Sequence, residues 1–290
     1  MKPKTTITTI LLLAVTLLCF SCTVAAPRAG IDPDAMFEYA EIMTPLASGI
    51  VTKEIDHVII DYSHTYYGYI MVRHIECESI HIRIVVEKPN GMSNIYALNP
   101  ESGFDALPLT GGDGTYNIKV LKHVEGTQFT ELLSSSTDVI LTNEFNPFLH
   151  PSQKVNFSNY CAVVRRAAEL TASIYNVPDK ISAISNYIVS NIAYDDDLIE
   201  MQVFGYIPDV NNVYARGSGL CLDFSTLFVA MLRSQIIPAK LVVGSAGEIY
   251  HAWVEVHDGE QWKIFDLTVG ADPLTMEKIE EMNFTAEFIY

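Results

Sequence analysis

The stretch GLCLDFSTLFVAMLRS, Gly219–Ser234, places one cysteine, Cys221, at the start of a predicted amphipathic helix. Its apolar residues recur at helical spacing, and Arg233 stands in the last turn, where the helix dipole favours a cation. Ser218 is the predicted N-cap, and Pro238 ends the segment. A thiol in the first helical turn lies near unpaired backbone N–H groups, which lower its pKa. The sequence therefore indicates a reactive thiol, with an inert buried cysteine as the simpler alternative.

Three strand-like segments follow this helix: KLVVG, YHAWVEV and QWKIFDL. Asp258-Gly259 is a two-residue turn signal between the last two, and a hairpin closed there places His251 directly opposite Asp266. Directly opposed side chains have Cβ atoms about 4.5–5.5 Å apart, so an imidazole and a carboxylate can touch. Such a histidine could act with the Cys221 thiolate in acyl transfer. The alternative is a purely structural cross-strand pair.

The segment GSGLCLDFSTLFVAMLRSQIIPAKLVVG, followed by YHAWVEV and WKIFDLT, resembles the transglutaminase-like superfamily over residues 157–268. The shared motifs are a Gly-x-Cys helix start, an Ile-Pro-Ala stretch, a His-Ala-Trp strand and an aspartate-bearing strand before Thr. The resemblance implies a papain-like fold in which the cysteine helix packs on an antiparallel sheet. It also implies that Cys221 is the nucleophile, His251 the base and Asp266 the residue that orients the histidine.

Two positions depart from this family pattern. Leu267 replaces the usual Pro or Thr after the aspartate, a change expected to shift the Asp266 strand slightly. Ile236 stands where the family usually has glycine before Ile-Pro. A β-branched residue is poorly suited to the left-handed backbone with which glycine ends a helix. We therefore expect the Cys221 helix to end differently.

The two halves of the chain differ in periodicity. Residues 50–145 contain short alternating segments such as IHIRIVVEK separated by turn signals, which predict an antiparallel β-sandwich. Residues 146–290 begin with two helix-like segments and contain the motifs above, which predict the papain-like transglutaminase-core domain. The predicted class is α+β, with the sandwich first. The β-rich half also resembles the N-terminal region of exported transglutaminase-like proteins of Gram-positive bacteria.

The N-terminus has the order of an export signal. Two lysines precede an apolar run from Ile7 to Phe20, which predicts a signal peptide over residues 1–21 and a linker over residues 22–49. Two cleavage modes stay open. Removal near Ala26 gives a secreted protein, whereas cleavage before Cys22 gives a lipid-anchored one and resembles bacterial lipoproteins. Either mode predicts an extracytoplasmic, cell-surface location.

Composition excludes several classes. The formal net charge is −17, so the chain repels nucleic acid. Five cysteines in 290 residues do not form a disulfide framework. The histidines of the first half lack metal-ligand spacing, so no metal or cofactor is expected.

These features give two hypotheses. The first is an exported, cysteine-dependent acyl-transfer enzyme that acts on peptide or protein amides through a thioester, as a peptidase or amidase in preference to a transglutaminase. Its expected partners are peptides or proteins, including cell-wall or surface proteins. The alternative is a non-catalytic cell-surface binding or scaffold protein that keeps the triad as a relic.

Overall fold

A computed structural model describes residues 41–75, 81–89, 91, 93–99, 103–198 and 206–290. The predicted signal peptide over residues 1–21, the predicted lipidation site Cys22 and most of the predicted linker lie outside these residues. Within the described ranges, no helix is long and apolar enough to cross a membrane.

The elements run in the following order. The strands of the first half are β1 (Thr52–Ile55), β2 (Val58–Asp61), β3 (Tyr69–His74), β4 (Ile82–Glu87), β5 (Ser93–Leu98), β6 (Asp105–Pro108), β7 (Gly114–Glu125) and β8 (Gln128–Val139). The helices are α1 (Ala162–Thr171), α2 (Val177–Asn191), α3 (Val210–Arg216), α4 (Cys221–Arg233) and α5 (Met276–Met282). The later strands are β9 (Ala193–Tyr194), β10 (Ser218–Gly219), β11 (Ala239–Ala246), β12 (Ile249–His257), β13 (Trp262–Phe265) and β14 (Phe284–Ile289).

Two four-stranded antiparallel sheets make up the first half, in the orders β1-β2-β3-β6 and β5-β4-β7-β8. Alternation in the sequence sets their buried faces. Ile82 and Ile84 of β4 are buried, as are Ile60 and Ile70 of the other sheet, and all four share one core. Burying apolar side chains from both sheets is what holds such a pair of layers together.

Packing begins earlier than the predicted start of order at Ile50. Ile42 is buried in the core, and the backbone N–H of Gly49 donates to Asp61 Oδ2 over 2.6 Å. Residues 41–49, which the sequence analysis assigned to the linker, therefore contact the first sheet.

In the second half, α4 is the central element. Its residues from Asp223 to Arg233 are all buried, and it packs on the antiparallel sheet β13-β12-β11-β14 and on α1, α2 and α3. A wide apolar stripe predicted this burial. The α+β class, with the cysteine-bearing helix on an antiparallel sheet, is confirmed.

The N-terminus of α4 differs from the prediction. The N-cap is Leu220, not Ser218. Ser218 instead belongs to β10, which pairs in parallel with β9, and its hydroxyl donates to Asp195 over 2.9 Å. Because the short ladder extends to Gly219, the helix begins only after it.

The C-terminus of α4 also contradicts the prediction. Ile236 takes the left-handed conformation for which a β-branched residue is poorly suited, with φ of 59°. The N–H of Ile237 donates to Leu232 O over 3.1 Å, and that of Ile236 donates to Arg233 O over 3.0 Å. This is the Schellman pattern usually built with glycine, so the helix end keeps its form in spite of an unfavourable residue.

The hairpin of β12 and β13 has a four-residue loop, Asp258–Gln261, instead of the predicted two-residue loop. His257 pairs with Trp262 and Glu255 with Ile264. The cause is the Asp258 side chain, whose Oδ1 accepts the N–H groups of Glu260 and Gln261, each over 2.9 Å. The predicted register is therefore wrong by two positions. Because side chains alternate with a period of two, every residue still lies on its predicted face.

The two halves meet along the edge strands β5 and β14. The Asn94 side chain donates to Ile289 O over 2.8 Å and accepts the Ile289 N–H over 3.3 Å. The buried amide of Asn94 thus links β5, at the edge of one sheet, to β14, at the edge of the other, through hydrogen bonds.

Candidate active site

Cys221 is the first residue of α4, a half-buried free thiol at the positive end of the helix. Two local contacts fix this end. Asp223 Oδ2 accepts the N–H of Leu220 over 2.9 Å, and Tyr206 donates to Asp223 Oδ1 over 2.8 Å. A Cβ at Gly219 would lie 2.5 Å from the Cβ of Asp223. This close approach explains the glycine of the Gly-x-Cys motif.

The imidazole of His251 lies between the thiol and a carboxylate. Its Nε2 is 2.7 Å from Asp266 Oδ2, and Cys221 is close enough to the ring to raise the pKa of His251. Since Nε2 faces Asp266, Nδ1 is the nitrogen that remains for the sulfur. The structure thus brings together all three site residues predicted from the sequence.

Asp266 is itself held in place. It is almost fully buried, and its Oδ1 accepts hydrogen bonds from the backbone N–H of Thr268 over 3.0 Å and from the hydroxyl over 2.6 Å. Burial opposes ionisation, but the hydrogen bonds from His251 and Thr268 outweigh it and lower the pKa of Asp266. The carboxylate is therefore charged where it meets the ring.

The charge on Asp266 changes the protonation of His251. Burial disfavours the imidazolium, but the hydrogen bond with Asp266 and the nearby Cys221 more than compensate, and the pKa of His251 rises to about 9. The ring is accordingly protonated at neutral pH. An imidazolium beside a thiol favours the thiolate and can later give its proton to a leaving group.

Two tyrosines near the thiol carry no role in the sequence-based prediction. The pKa of Tyr194 and that of Tyr250 are both raised, chiefly by burial and then by negative charge nearby, which for both includes Cys221. Both side chains are largely exposed. Tyr194 pairs with Gly219 in the β9–β10 ladder, and Tyr250 directly precedes His251. The position of Tyr194 follows from the β9–β10 pairing, which the sequence pattern did not reveal, whereas Tyr250 lies on a strand that the sequence predicts.

Cys161 has a different environment from Cys221. Cys161, the N-cap of α1, is buried, and its sulfur accepts from Asn211 Nδ2 over 3.4 Å. Cys77 lies outside the described residues. Among the residues that are described, no group of three or more His, Cys, Asp or Glu side chains could hold a metal ion.

Part of the second half of the chain is similar to known proteins. Residues 164–267 match the family model of the transglutaminase-like superfamily. The uncharacterised protein YebA of Bacillus subtilis is 32% identical over a match that covers 36% of this chain and 17% of YebA. This chain thus matches less than a fifth of the length of that relative.

Two solved structures give weaker matches. One is a candidate cysteine protease from Cytophaga hutchinsonii, with 24% identity, a TM-score of 0.37, and coverage of 65% of this chain and 75% of that one. The other is the periplasmic domain of TgpA from Pseudomonas aeruginosa, with 14% identity, a TM-score of 0.33, and coverage of 74% and 94%.

The family match includes Cys221, His251 and Asp266. Over residues 164–267 the chain is similar to the transglutaminase-like superfamily.

Proposed function

We propose that this protein is a cysteine-dependent acyl-transfer enzyme that acts on peptide or protein amides. The observation that carries the proposal is the His251–Asp266 hydrogen bond of 2.7 Å, with the Cys221 thiol near the same ring. If His251 and Asp266 formed a purely structural pair, they would not require a thiol at a helix N-terminus beside the ring. This arrangement supports an enzyme over a scaffold protein with a relic triad.

The geometry supports a first half-reaction that begins at Cys221. The Cys221 thiolate attacks the amide carbon, and the carbonyl π electrons move to oxygen. When the tetrahedral species collapses, the C–N bond breaks, and the departing amine takes the proton from His251. The product is a thioester on Cys221 and a neutral imidazole. Asp266 stabilises the charged ring and fixes its orientation throughout.

The second half-reaction decides the enzyme class. Neutral His251 accepts a proton from water or from an amine as that nucleophile attacks the thioester and releases Cys221 as the thiolate. Water gives a peptidase or amidase, and an amine gives a crosslinking transglutaminase. We propose hydrolysis, because water is always present at a half-buried thiol.

The proposed setting is outside the cytoplasm, either as a secreted protein or as a lipoprotein anchored through Cys22, with peptides or surface proteins as substrates. Mass spectrometry of the N-terminal peptide from the exported protein tests the anchor. A diacylglyceryl group on Cys22 supports it, and a mature N-terminus near Ala26 supports the secreted form.

The test of the activity is mass spectrometry of the protein incubated with peptide mixtures, with and without a free-amine donor. Cleaved peptides in both mixtures support hydrolysis, and crosslinked products in the amine mixture support transfer. Cys221→Ala is expected to abolish both. Cys161→Ala, which removes a thiol buried elsewhere, is the matched control and is expected to keep the activity. Unchanged peptides with the intact protein would contradict the proposal.

A further inference from the structure

A cavity of about 930 Å³ lies between the sheet β5-β4-β7-β8, the strands β11 and β14, and the start of α4. Its volume is in the range that holds a small ligand or a short peptide segment. Its walls are largely apolar, and they include Ile82, Ile95, Phe129, Leu241, Val243 and Phe288.

The cavity adjoins the candidate active site. Leu222, which lines it, directly follows Cys221, and Tyr250, which also lines it, directly precedes His251. Tyr206 is a third lining residue, and it donates to Asp223 in the first turn of α4. The cavity lining therefore includes residues of the two elements that carry Cys221 and His251, α4 and β12.

The charge of the cavity is opposite to that of the chain. The chain carries 35 acidic and 18 basic residues, yet the charged residues among the described lining are Arg83 and Lys154, with no aspartate or glutamate. Arg83 stacks on Phe129, with the guanidinium carbon 4.2 Å from the ring centroid. Such a lining favours an anionic ligand with apolar or aromatic parts.

Lys154 is a cation without a described counter-charge. Neither a hydrogen bond nor an ion pair connects its Nζ to the residues that the structure describes, and its nearest charge-compensating contact is the ring of Tyr290, with the centroid 5.6 Å away. Burial lowers the pKa of Lys154. Burying an ammonium group without a partner is unfavourable, and a carboxylate of a ligand would relieve that cost.

The backbone on both sides of Lys154 is fixed. Gln153 Nε2 donates to Ala97 O and to Asp105 Oδ2, each over 2.9 Å, and Val155 is fully buried. Lys154 is therefore presented by an anchored segment, so little ordering of the protein is needed when an anion binds.

We propose that this cavity binds an acidic segment of the peptide substrate and that Lys154 pairs with a carboxylate of that segment. The proposal adds a substrate class to the proposed function and rests on it. Apolar walls from β4, β5, β11 and β14 beside Lys154 suit a peptide that carries both apolar side chains and a carboxylate.

The test is calorimetric titration of the full chain carrying Cys221→Ala, which cannot turn the peptide over. The probes are the peptide N-acetyl-Leu-Glu-Phe-Glu-Ala-amide and the same peptide with Gln for both Glu. We expect the acidic peptide to bind at least tenfold more tightly than the neutral one, as charge-assisted hydrogen bonds predict. Lys154→Met is expected to remove roughly tenfold of that affinity and to leave the neutral peptide unaffected.

Lys53→Met is the matched control, because it removes the same charge from an exposed position on β1. It is expected to change neither affinity. If Lys154→Met fails to fold, Lys154→Gln tests the charge in its place. The comparison of the two peptides on Cys221→Ala tests the preference for acidic peptides without any change at Lys154.

Equal affinity for the two peptides, or no effect of neutralising Lys154, would overturn the proposal. So would binding of dodecanoate in place of the acidic peptide, because it would indicate a lipid site. These outcomes are distinct from failure of the proposed function. Binding does not use the thiol, and an inert Cys221 would leave the titration unchanged.

Discussion

Nε2 of His251 lies 2.7 Å from Oδ2 of Asp266, although Asp266 follows the last paired residue of β13. Continuing the register would place Asp266 opposite Trp253, two positions from His251. The two side chains are therefore diagonal neighbours on one face, a spacing that long side chains can bridge. The Thr268 hydrogen bonds to Asp266 Oδ1 leave Oδ2 for the ring. The turn after β13 thus places Asp266 beside His251, as a longer paired strand would otherwise do.

Asp266→Asn should lower the pH at which activity is lost on the alkaline side. The pKa of His251 is about 9 because Asp266 and Cys221 stabilise the imidazolium against burial, so the proton needed by the leaving amine is present below about pH 9. Without the carboxylate this pKa should fall toward the ordinary value of about 6.5. The kcat/KM for a cleaved peptide should drop roughly 10²- to 10⁴-fold.

An NMR titration of the histidine ring protons checks this shift without a substrate, with His251→Asn to assign the signal. Folding stability, like activity, is expected to decrease on the alkaline side. A raised folded-state pKa stabilises the fold below the unfolded-state pKa, and this contribution is lost as pH rises through about 9. A His251 signal that titrates alike in the parent and in Asp266→Asn would contradict the assignment.

Gly219→Ala should displace the start of α4. Its added Cβ would lie 2.5 Å from the Cβ of Asp223, a distance that forces the backbone to move. We expect a loss of about 1–3 kcal/mol in unfolding free energy, with lower Cys221 reactivity. Urea unfolding and thiol alkylation measure the two effects. Gly103→Ala, where nothing lies within 4 Å, is the control, and equal behaviour of the two variants would count against this explanation.

Ile236 offers a test of backbone strain. Ile236→Gly and Ile236→Ala remove the same half-exposed side chain beyond Cβ, but only glycine takes the φ of 59° without a steric cost. The glycine variant should therefore be more stable than the alanine variant by about 1 kcal/mol. At an ordinary helical position the order is reversed. Thermal or urea unfolding decides the sign, and a more stable alanine variant would refute the left-handed assignment.

Asn94→Ala should weaken the junction between the two halves. The buried amide makes two hydrogen bonds to the backbone of Ile289, and its removal takes the acceptor from the Ile289 N–H while the Ile289 carbonyl keeps only the Thr110 hydroxyl among these side-chain donors. The expected cost is about 1–3 kcal/mol. Asn117→Ala on β7 is the control, and its stability should change little. If the junction couples the halves, urea unfolding of Asn94→Ala should broaden or divide into two steps, and a single unshifted transition would speak against this role.

The sequence predicted the features that repeat along the chain. Alternation in β4 and the apolar stripe of α4 predict the α+β class. The sequence also places His251 and Asp266 on one face of the hairpin, because a register shift of two positions leaves each side chain on the same face. The cap at Leu220 was missed because the β9–β10 pairing that displaces Ser218 is set by distant residues. Intrinsic preference alone predicts the wrong backbone conformation at Ile236, because it does not include the packing of α4. Nothing in the pattern around Lys154 revealed the cavity, since its walls come from both halves.

The central claim is that His251 activates the thiol of Cys221. The most direct test is the rate of alkylation of Cys221 by iodoacetamide at neutral pH, followed by peptide mapping, in the parent protein and in His251→Ala. The rate is predicted to fall roughly tenfold or more when the imidazolium is removed. An equal rate in both proteins would contradict the account and favour a binding or scaffold protein with an inactive triad.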